Sequence, residues 1–440
     1  MIDQKEKKVP RVYVSLTFDV LHHGHINIIR AASELGDVTV GLLTDSAIAG
    51  HKRLPYLSWD QRRSIALELK GVQAVVPQNS WSEASNILAL KPDFVVHGDD
   101  WRQGREARFR TETIEALSCY GGELVEIPYT EGVSTGAILT DGRFIGSTTE
   151  IRRSALKRKL LSKNMVRLIE AHSPISALVA EAAAESVDGE FREFDGFWSS
   201  SLTDSTERGK PDIEALDITS RLRNINDIFE VTTKPLVMDC DTGGLKEHFE
   251  LYIKSIERLG VSAAVIEDKQ GLKKNSLLGK DVKQTLADPM EFCEKILAGK
   301  AAITSPDFMI IARIESLILE LGVQDALNRA TAYSGAGADG IVIHSRHADT
   351  AEIFEFSNEF KKEFPDIPLV AIPTSYNQVT EQELEDQGFN VVIYANHLLR
   401  SAYPSMIRTA SSILRHGRSY EIESELLSIK EVLALIPGTN

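Results

Sequence analysis

The 440-residue chain is short of cysteine, of aromatic side chains and of positive charge. Its three cysteines, Cys119, Cys240 and Cys293, are scattered and odd in number, so no disulfide framework is expected and a reducing, cytoplasmic setting is. Lysine and arginine total 49 against 64 acids, a net charge of −15 that leaves no basic surface for nucleic acid or an anionic membrane. No apolar run approaches bilayer length. The first eight residues are polar and lack the apolar core of a secretion signal. Short-period repeats and low-complexity segments are also missing. What remains is a globular mix, 42% hydrophobic and 26% charged, at a length that suits two or three domains.

Strand and helix patterns alternate along the whole chain. Arg11 to Phe18, Val38 to Leu43, Gln73 to Val76, Asp93 to Gly98 and Glu123 to Ile127 read as strands with helices between. Apolar strands in such alternation predict a Rossmann-like, doubly wound parallel sheet over residues 8–142. Residues 143–163 contain a basic run, Arg152 to Lys159, which reads as a solvated linker helix. Residues 164–440 alternate again, with apolar strands near Leu236, Val261, Phe308, Gly340, Leu369 and Val391, the extent of a (β/α)8 barrel.

Two loops concentrate chemistry. The first, Thr17-Phe18-Asp19-Val20-Leu21-His22-His23-Gly24-His25, joins a strand to a helix. A glycine there admits close backbone approach, and the helix start offers free N–H groups to phosphate. His22 and His25, three residues apart, can both donate to one anionic group as its charge builds. The second is Glu267-Asp268-Lys269-Gln270-Gly271-Leu272-Lys273-Lys274-Asn275-Ser276, after the strand ending at Ile266. Alternation sends Asp239 and Asp241 of Asp239-Cys240-Asp241-Thr242-Gly243 to one side, where Glu267 can join them. Three carboxylates together call for a hard cation, and oxygen-only ligation suits Mg²⁺.

The first segment resembles the cytidylyltransferases over about residues 11–140. That resemblance implies His22 and His25 as catalytic residues. It implies nucleotide contacts at Thr17, Phe18, Lys52, Arg62, Asp99, Trp101, Thr130, Ser134 and Thr135, with Lys52 and Arg62 as phosphate-contacting cations and Trp81 in a further motif. Two positions depart from the pattern: Leu16 replaces a glycine and Tyr129 an arginine, so a bidentate phosphate clamp becomes a single hydroxyl.

The second loop resembles the EDKxxxKxNS signature of phosphoenolpyruvate mutase, and the likeness runs from about Ala155 to Pro437. It implies Asp212, Lys273, Asn275, Arg313 and His344 as catalytic residues, and Trp198, Ser200, Ser201, Leu202 and Ser276 as substrate contacts. It also implies Asp239 as a direct Mg²⁺ ligand, with Asp241 and Glu267 acting largely through the ion's waters. The lyases of the same superfamily carry a catalytic cysteine in this loop, and residues 268–281 contain none.

Together the halves resemble the bifunctional cytidylyltransferase–phosphoenolpyruvate mutases of fosfomycin biosynthesis. The resemblance implies two reactions: isomerisation of phosphoenolpyruvate to phosphonopyruvate, and transfer of CMP from CTP to 2-hydroxyethylphosphonate. Phosphonopyruvate hydrolysis, carbon–carbon cleavage, a different phosphonate or phosphate acceptor, and a nucleotide-binding module without turnover stay open. A homo-oligomer is expected, since barrels of this superfamily associate through a terminal helix.

Overall fold

The computed structural model describes residues 9–436 except 53, 103, 129–147 and 188–189. The chain divides into two compact units at Phe144/Ile145, with Val187–Phe191 counted in the first. None of the described helices is long and apolar enough to cross a membrane.

The first unit is a five-stranded parallel sheet: β1 (Arg11–Leu16), β2 (Asp37–Leu43), β3 (Val72–Gln78), β4 (Phe94–Gly98) and β5 (Glu123–Ile127), in the order β3-β2-β1-β4-β5. Both faces of β1 are covered, Val12, Val14 and Leu16 packing in one core and Tyr13 in another. Burial on both sides is what makes these strands near-continuous apolar runs. The chain winds outward from β1 through β3, then returns to lay β4 on the other side of β1. Crevices for ligands open at the carboxyl ends of the strands where the winding reverses. Here that places the turn after β1 beside the turn after β4.

The second unit is a closed barrel of eight parallel strands. They are β6 (Val166–Glu170), β9 (Gly196–Ser199), β10 (Leu236–Asp239), β11 (Ala263–Glu267), β14 (Met309–Ile314), β15 (Gly340–Ile343), β16 (Leu369–Ala371) and β17 (Val391–Tyr394), and β17 pairs with β6 to close the ring. Two hairpins interrupt them: β7 (Ala184–Val187) with β8 (Glu190–Glu193), and β12 (Lys269–Gln270) with β13 (Thr285–Leu286). The second is the stem of the loop that carries Lys273, Asn275 and Ser276.

Side chains alternate strictly across the barrel wall. Val237, Ala263, Val265, Met309, Ile311 and Val342 fill the lumen, while Met238, Ala264, Ile266, Ile310 and Ile341 pack outward under the helices. Carried two residues further, the lumen parity falls on Asp239, Glu267, Arg313 and His344. The chemistry of the mouth is the top layer of the barrel's own filling.

The helix Thr149–Ser162 corrects the expectation of a solvated linker. Leu156 is 1% exposed and packs with the lumen residues, while Arg152, Arg153 and Lys159 are buried. Their charges are met by main-chain carbonyls and one buried acid: Arg152 donates to Phe229 and Thr232, Arg153 to Glu257, and Lys159 lies 3.2 Å from Asp195. A basic run reads as solvated when its partners lie far away in sequence.

Candidate active sites

In the first unit the helix His23–Leu35 starts within the histidine turn, so His25 sits in its opening turn. The His22 amide donates to His25 Nδ1 at 3.4 Å, and the two rings lie 3.9 Å apart. Burial, helped by the neighbouring imidazole, pushes His25 down to about 3; burial and then His23 lower His22. Both are therefore neutral at neutral pH. The buried His22 Nδ1 has no hydrogen-bond partner among the described residues. Phe18 precedes this turn with φ +53°, rare for a bulky residue, and its ring lies 5.2 Å from His25.

The other nucleotide-site expectations divide. Lys52 is largely exposed, its ammonium 4.8 Å above Trp81 and 4.0 Å from Glu106. Arg62 is fully buried and donates to the carbonyls of Thr17 and Leu57 and to Asp45. In this structure the guanidinium expected to contact phosphate holds the end of the β1 segment in place. Trp101 is likewise buried, stacked 3.5 Å from His97 and donating to Glu126 at 3.0 Å, so it shapes the turn after β4 that Asp99 begins. Thr130, Ser134 and Thr135, with Tyr129, lie outside the described residues. Leu16, where the cytidylyltransferase pattern has glycine, is core.

At the barrel mouth a cavity of about 60 Å³ gathers Trp198, Ser200, Ser201, Leu202, Asp212, Asp239, Glu267, Lys273, Asn275, Ser276, Arg313 and His344. Every barrel strand except β6 contributes its carboxyl end. Two loops close over it. Lys273 reaches Asp212 Oδ1 at 2.7 Å and also contacts Asp241 and Ser201. Asn275 Nδ2 donates to Asp212 Oδ2 at 3.0 Å. Burial alone would lower the Lys273 ammonium, but Asp241, Asp239, Glu267 and Asp212 outweigh it and raise it, so it stays charged. On the opposite wall Arg313 donates to Glu315 at 2.6 Å and to Ser276 Oγ at 2.7 Å, and lies 3.0 Å from His344 Nδ1. Burial, and then the Arg313 charge, lower His344, which is thus neutral.

Asp239 and Glu267 line the cavity, and Asp241 reaches it through Lys273. Among the described residues no three acids or imidazoles are drawn into a ready coordination shell. The donor set nevertheless fits a hard cation. It is all oxygen, burial lifts the Glu267 carboxyl to about 7, and Glu267 Oε1 has no hydrogen-bond partner among the described residues. Lys273, Arg313 and Lys269 set positive charge around these acids.

Arg221 escaped the sequence reading. It is fully buried beneath the mouth, donating to Asp204 at 2.9 Å, to Ser199 and to the main-chain carbonyl of Asp239. The available signal was a charge on the apolar face of an amphipathic helix, Ile218–Phe229, in line with Ile225 and Ile228.

Residues 156–414 match the phosphoenolpyruvate phosphomutase family, and residues 17–153 match the cytidylyltransferase-like family. Over 286 residues the chain is 35% identical to a phosphonopyruvate hydrolase of Variovorax sp. (strain Pal2), covering 64% of this chain and 94% of that one. The crystal structure of a phosphoenolpyruvate phosphomutase from Streptomyces platensis subsp. rosaceus is similar with a TM-score of 0.60 at 35% identity, again over 64% and 94% of the two chains. A phosphonopyruvate hydrolase in complex with oxalate and Mg²⁺ gives a TM-score of 0.57 at 34% identity, with the same coverage. Mutase and hydrolase are thus equally near in overall identity, and local geometry must separate them. The chain belongs to the phosphoenolpyruvate phosphomutase family, and joins to that barrel an N-terminal cytidylyltransferase-like domain.

Proposed function

We propose that the barrel interconverts phosphoenolpyruvate and phosphonopyruvate, and that the N-terminal unit transfers CMP from CTP to a small phosphonate, 2-hydroxyethylphosphonate in the first instance. The observation that carries the first half is the meeting of Asp212, Lys273 and Asn275, from two separate loops, over a wall bearing Arg313 and His344. In the isomerisation the phosphorus–oxygen bond of the enol phosphate breaks, the enolate oxygen becomes a carbonyl, and phosphorus bonds to carbon 3. No proton or electron is gained or lost. A phosphoryl group passing through a loose transition state needs positioning and counter-charge more than covalent help. Lys273 and Asn275 hold its oxygens, Asp212 guides it, and the closed loops keep water out. Arg313 steadies the carboxylate and enolate oxygens, as a guanidinium fork does well. Asp239, Asp241 and Glu267 would hold Mg²⁺, which supplies Lewis-acid stabilisation of the enolate when bound.

In the N-terminal unit an acceptor phosphonate oxygen attacks the α-phosphorus of CTP and pyrophosphate leaves. The acceptor is its own nucleophile, so orientation and charge stabilisation suffice. His22 and His25, neutral and at the start of a helix, are suited to hydrogen-bonding the α-phosphate. Soluble small-molecule substrates fit a cytoplasmic enzyme.

Phosphorus NMR tests both halves. Phosphonopyruvate with Mg²⁺ should yield phosphoenolpyruvate, because carbon–phosphorus bond formation is the uphill direction; pyruvate and free phosphate would instead make the barrel a hydrolase. CTP with a panel of phosphonates should release pyrophosphate. The burial of Leu16 in the core favours one second reading, a nucleotide-binding module, which CTP binding without pyrophosphate release would support.

A further inference from the structure

The loop that carries Asp212 leaves the helix Ser201–Glu207 through Gly209 and ends at Asp217, which caps the helix Ile218–Phe229. Between them Glu214 adopts φ +59°, a left-handed conformation unusual for a glutamate. Its carboxylate Oε1 accepts from the Thr242 amide at 3.1 Å and the Thr242 hydroxyl at 2.8 Å. Thr242 directly follows Asp241, itself at φ +53°, and its carbonyl accepts from Lys295 at 2.7 Å. Two bridges therefore join the Asp212 loop to the Asp241 turn. One is Lys273, which touches both acids inside the cavity. The other is Glu214, which lies outside the cavity lining and is exposed.

The bridges face different fates when substrate enters. Lys273 must give up contact with an acid to hold a phosphoryl oxygen, so the inner bridge loosens at the moment closure matters. The outer one touches no reacting atom and can persist. Its strained backbone also means that the loop springs away once the carboxylate lets go, since left-handed backbone on a non-glycine residue survives only where surrounding contacts over-determine it. We propose that Glu214 is a positioning residue that keeps Asp212 over the phosphoryl group in transit, and so sets the choice between isomerisation and hydrolysis; the inference rests on the mutase reading of the barrel. With the latch open, water reaches the site: the phosphorus–carbon bond of phosphonopyruvate breaks, a water oxygen bonds to phosphorus, and carbon 3 takes a proton to give pyruvate and orthophosphate.

The test is the partition of phosphonopyruvate between phosphoenolpyruvate and orthophosphate, followed by phosphorus NMR with Mg²⁺ in the full-length protein. Glu214→Ala should raise the orthophosphate fraction by about tenfold or more, the scale of one lost charge-assisted hydrogen bond. Glu214→Gly, which relaxes the backbone but also lacks the carboxylate, should leak as well, and Glu214→Gln should leak less than either. Exposure of the side chain lets all three variants fold. Wild-type partition in Ala and Gly, or an equal loss of both products, overturns the latch. Wild-type protein that yields only pyruvate and orthophosphate overturns the mutase reading and the latch with it.

Discussion

Arg221 places no atom in the cavity wall, yet three of its contacts end on the strands that build it. Its charge is matched by Asp204, which is as deeply buried. Removing one partner of such a pair leaves the other uncompensated, so Arg221→Met should cost about 3–5 kcal/mol of barrel stability. Combining it with Asp204→Leu should return much of the loss; denaturant midpoints that stay low in the double variant would show that the main-chain contacts matter more than the charge. Asn275 makes the opposite prediction, being kinetic rather than structural. Asn275→Ala should slow isomerisation by about 2–4 kcal/mol of barrier, the range for one lost transition-state donor, and a rate within about twofold of wild type would remove it from the site. His22 and His25 predict a pH effect. Their unfolded forms take up protons below about 6.5, whereas the folded forms resist, His25 down to about 3. Proton uptake by the unfolded chain then destabilises the N-terminal unit as pH falls from about 6.5 towards 3. Urea unfolding followed by tryptophan fluorescence should show this slope, and His25→Asn should flatten it.

At the scale of elements, the barrel strands were legible because each is a short apolar run between turn residues, with side chains packed both into the lumen and under the helices. The parity that fills the lumen with Val237, Val265 and Ile311 also delivers Asp239, Glu267 and Arg313 to the mouth; alternation pointed to the carboxylates, whereas Arg313 was expected only from the resemblance to the mutases. The helix Thr149–Ser162 could not, because its arginines are satisfied by Phe229, Thr232 and Glu257, residues whose nearness is a product of the fold. The contacts of Arg62 and Trp101 were illegible for the same reason: a cation or an aromatic ring in a motif does not reveal whether Asp45 or His97 already engages it. The long helix His397–His416 that follows β17 is different again. Glu170 of β6 accepts from the amides of Leu398 and Leu399 and pins its start, but no residue along it is buried, and Tyr403, Met406, Ile407 and Leu414 stand exposed. So much apolar surface on one element is characteristic of an association face. Sedimentation should find an oligomer, and deletion of residues 397–436 should reduce it; a wild-type monomer at micromolar concentration would refute this.

The whole molecule carries two chemistries in two units, each with its own core. Asn275→Ala should consequently leave pyrophosphate release from CTP unchanged, while His22→Ala or His25→Ala should depress that release, more in rate than in CTP affinity, and spare phosphonopyruvate turnover. Closure of the barrel by β17 against β6 has a further consequence, for the newborn chain. All five strands of the first unit have been synthesised once Ile127 is made, and they can fold while the ribosome is still at work. β6, by contrast, must wait for β17, a delay on the order of tens of seconds at ordinary elongation rates. Throughout that interval one edge of β6 has no strand to pair with, and the lumen-facing Val166 and Leu168 line a ring that is still open on that side. The nascent barrel, not the finished one, is where this protein is most exposed to aggregation and most in need of a chaperone.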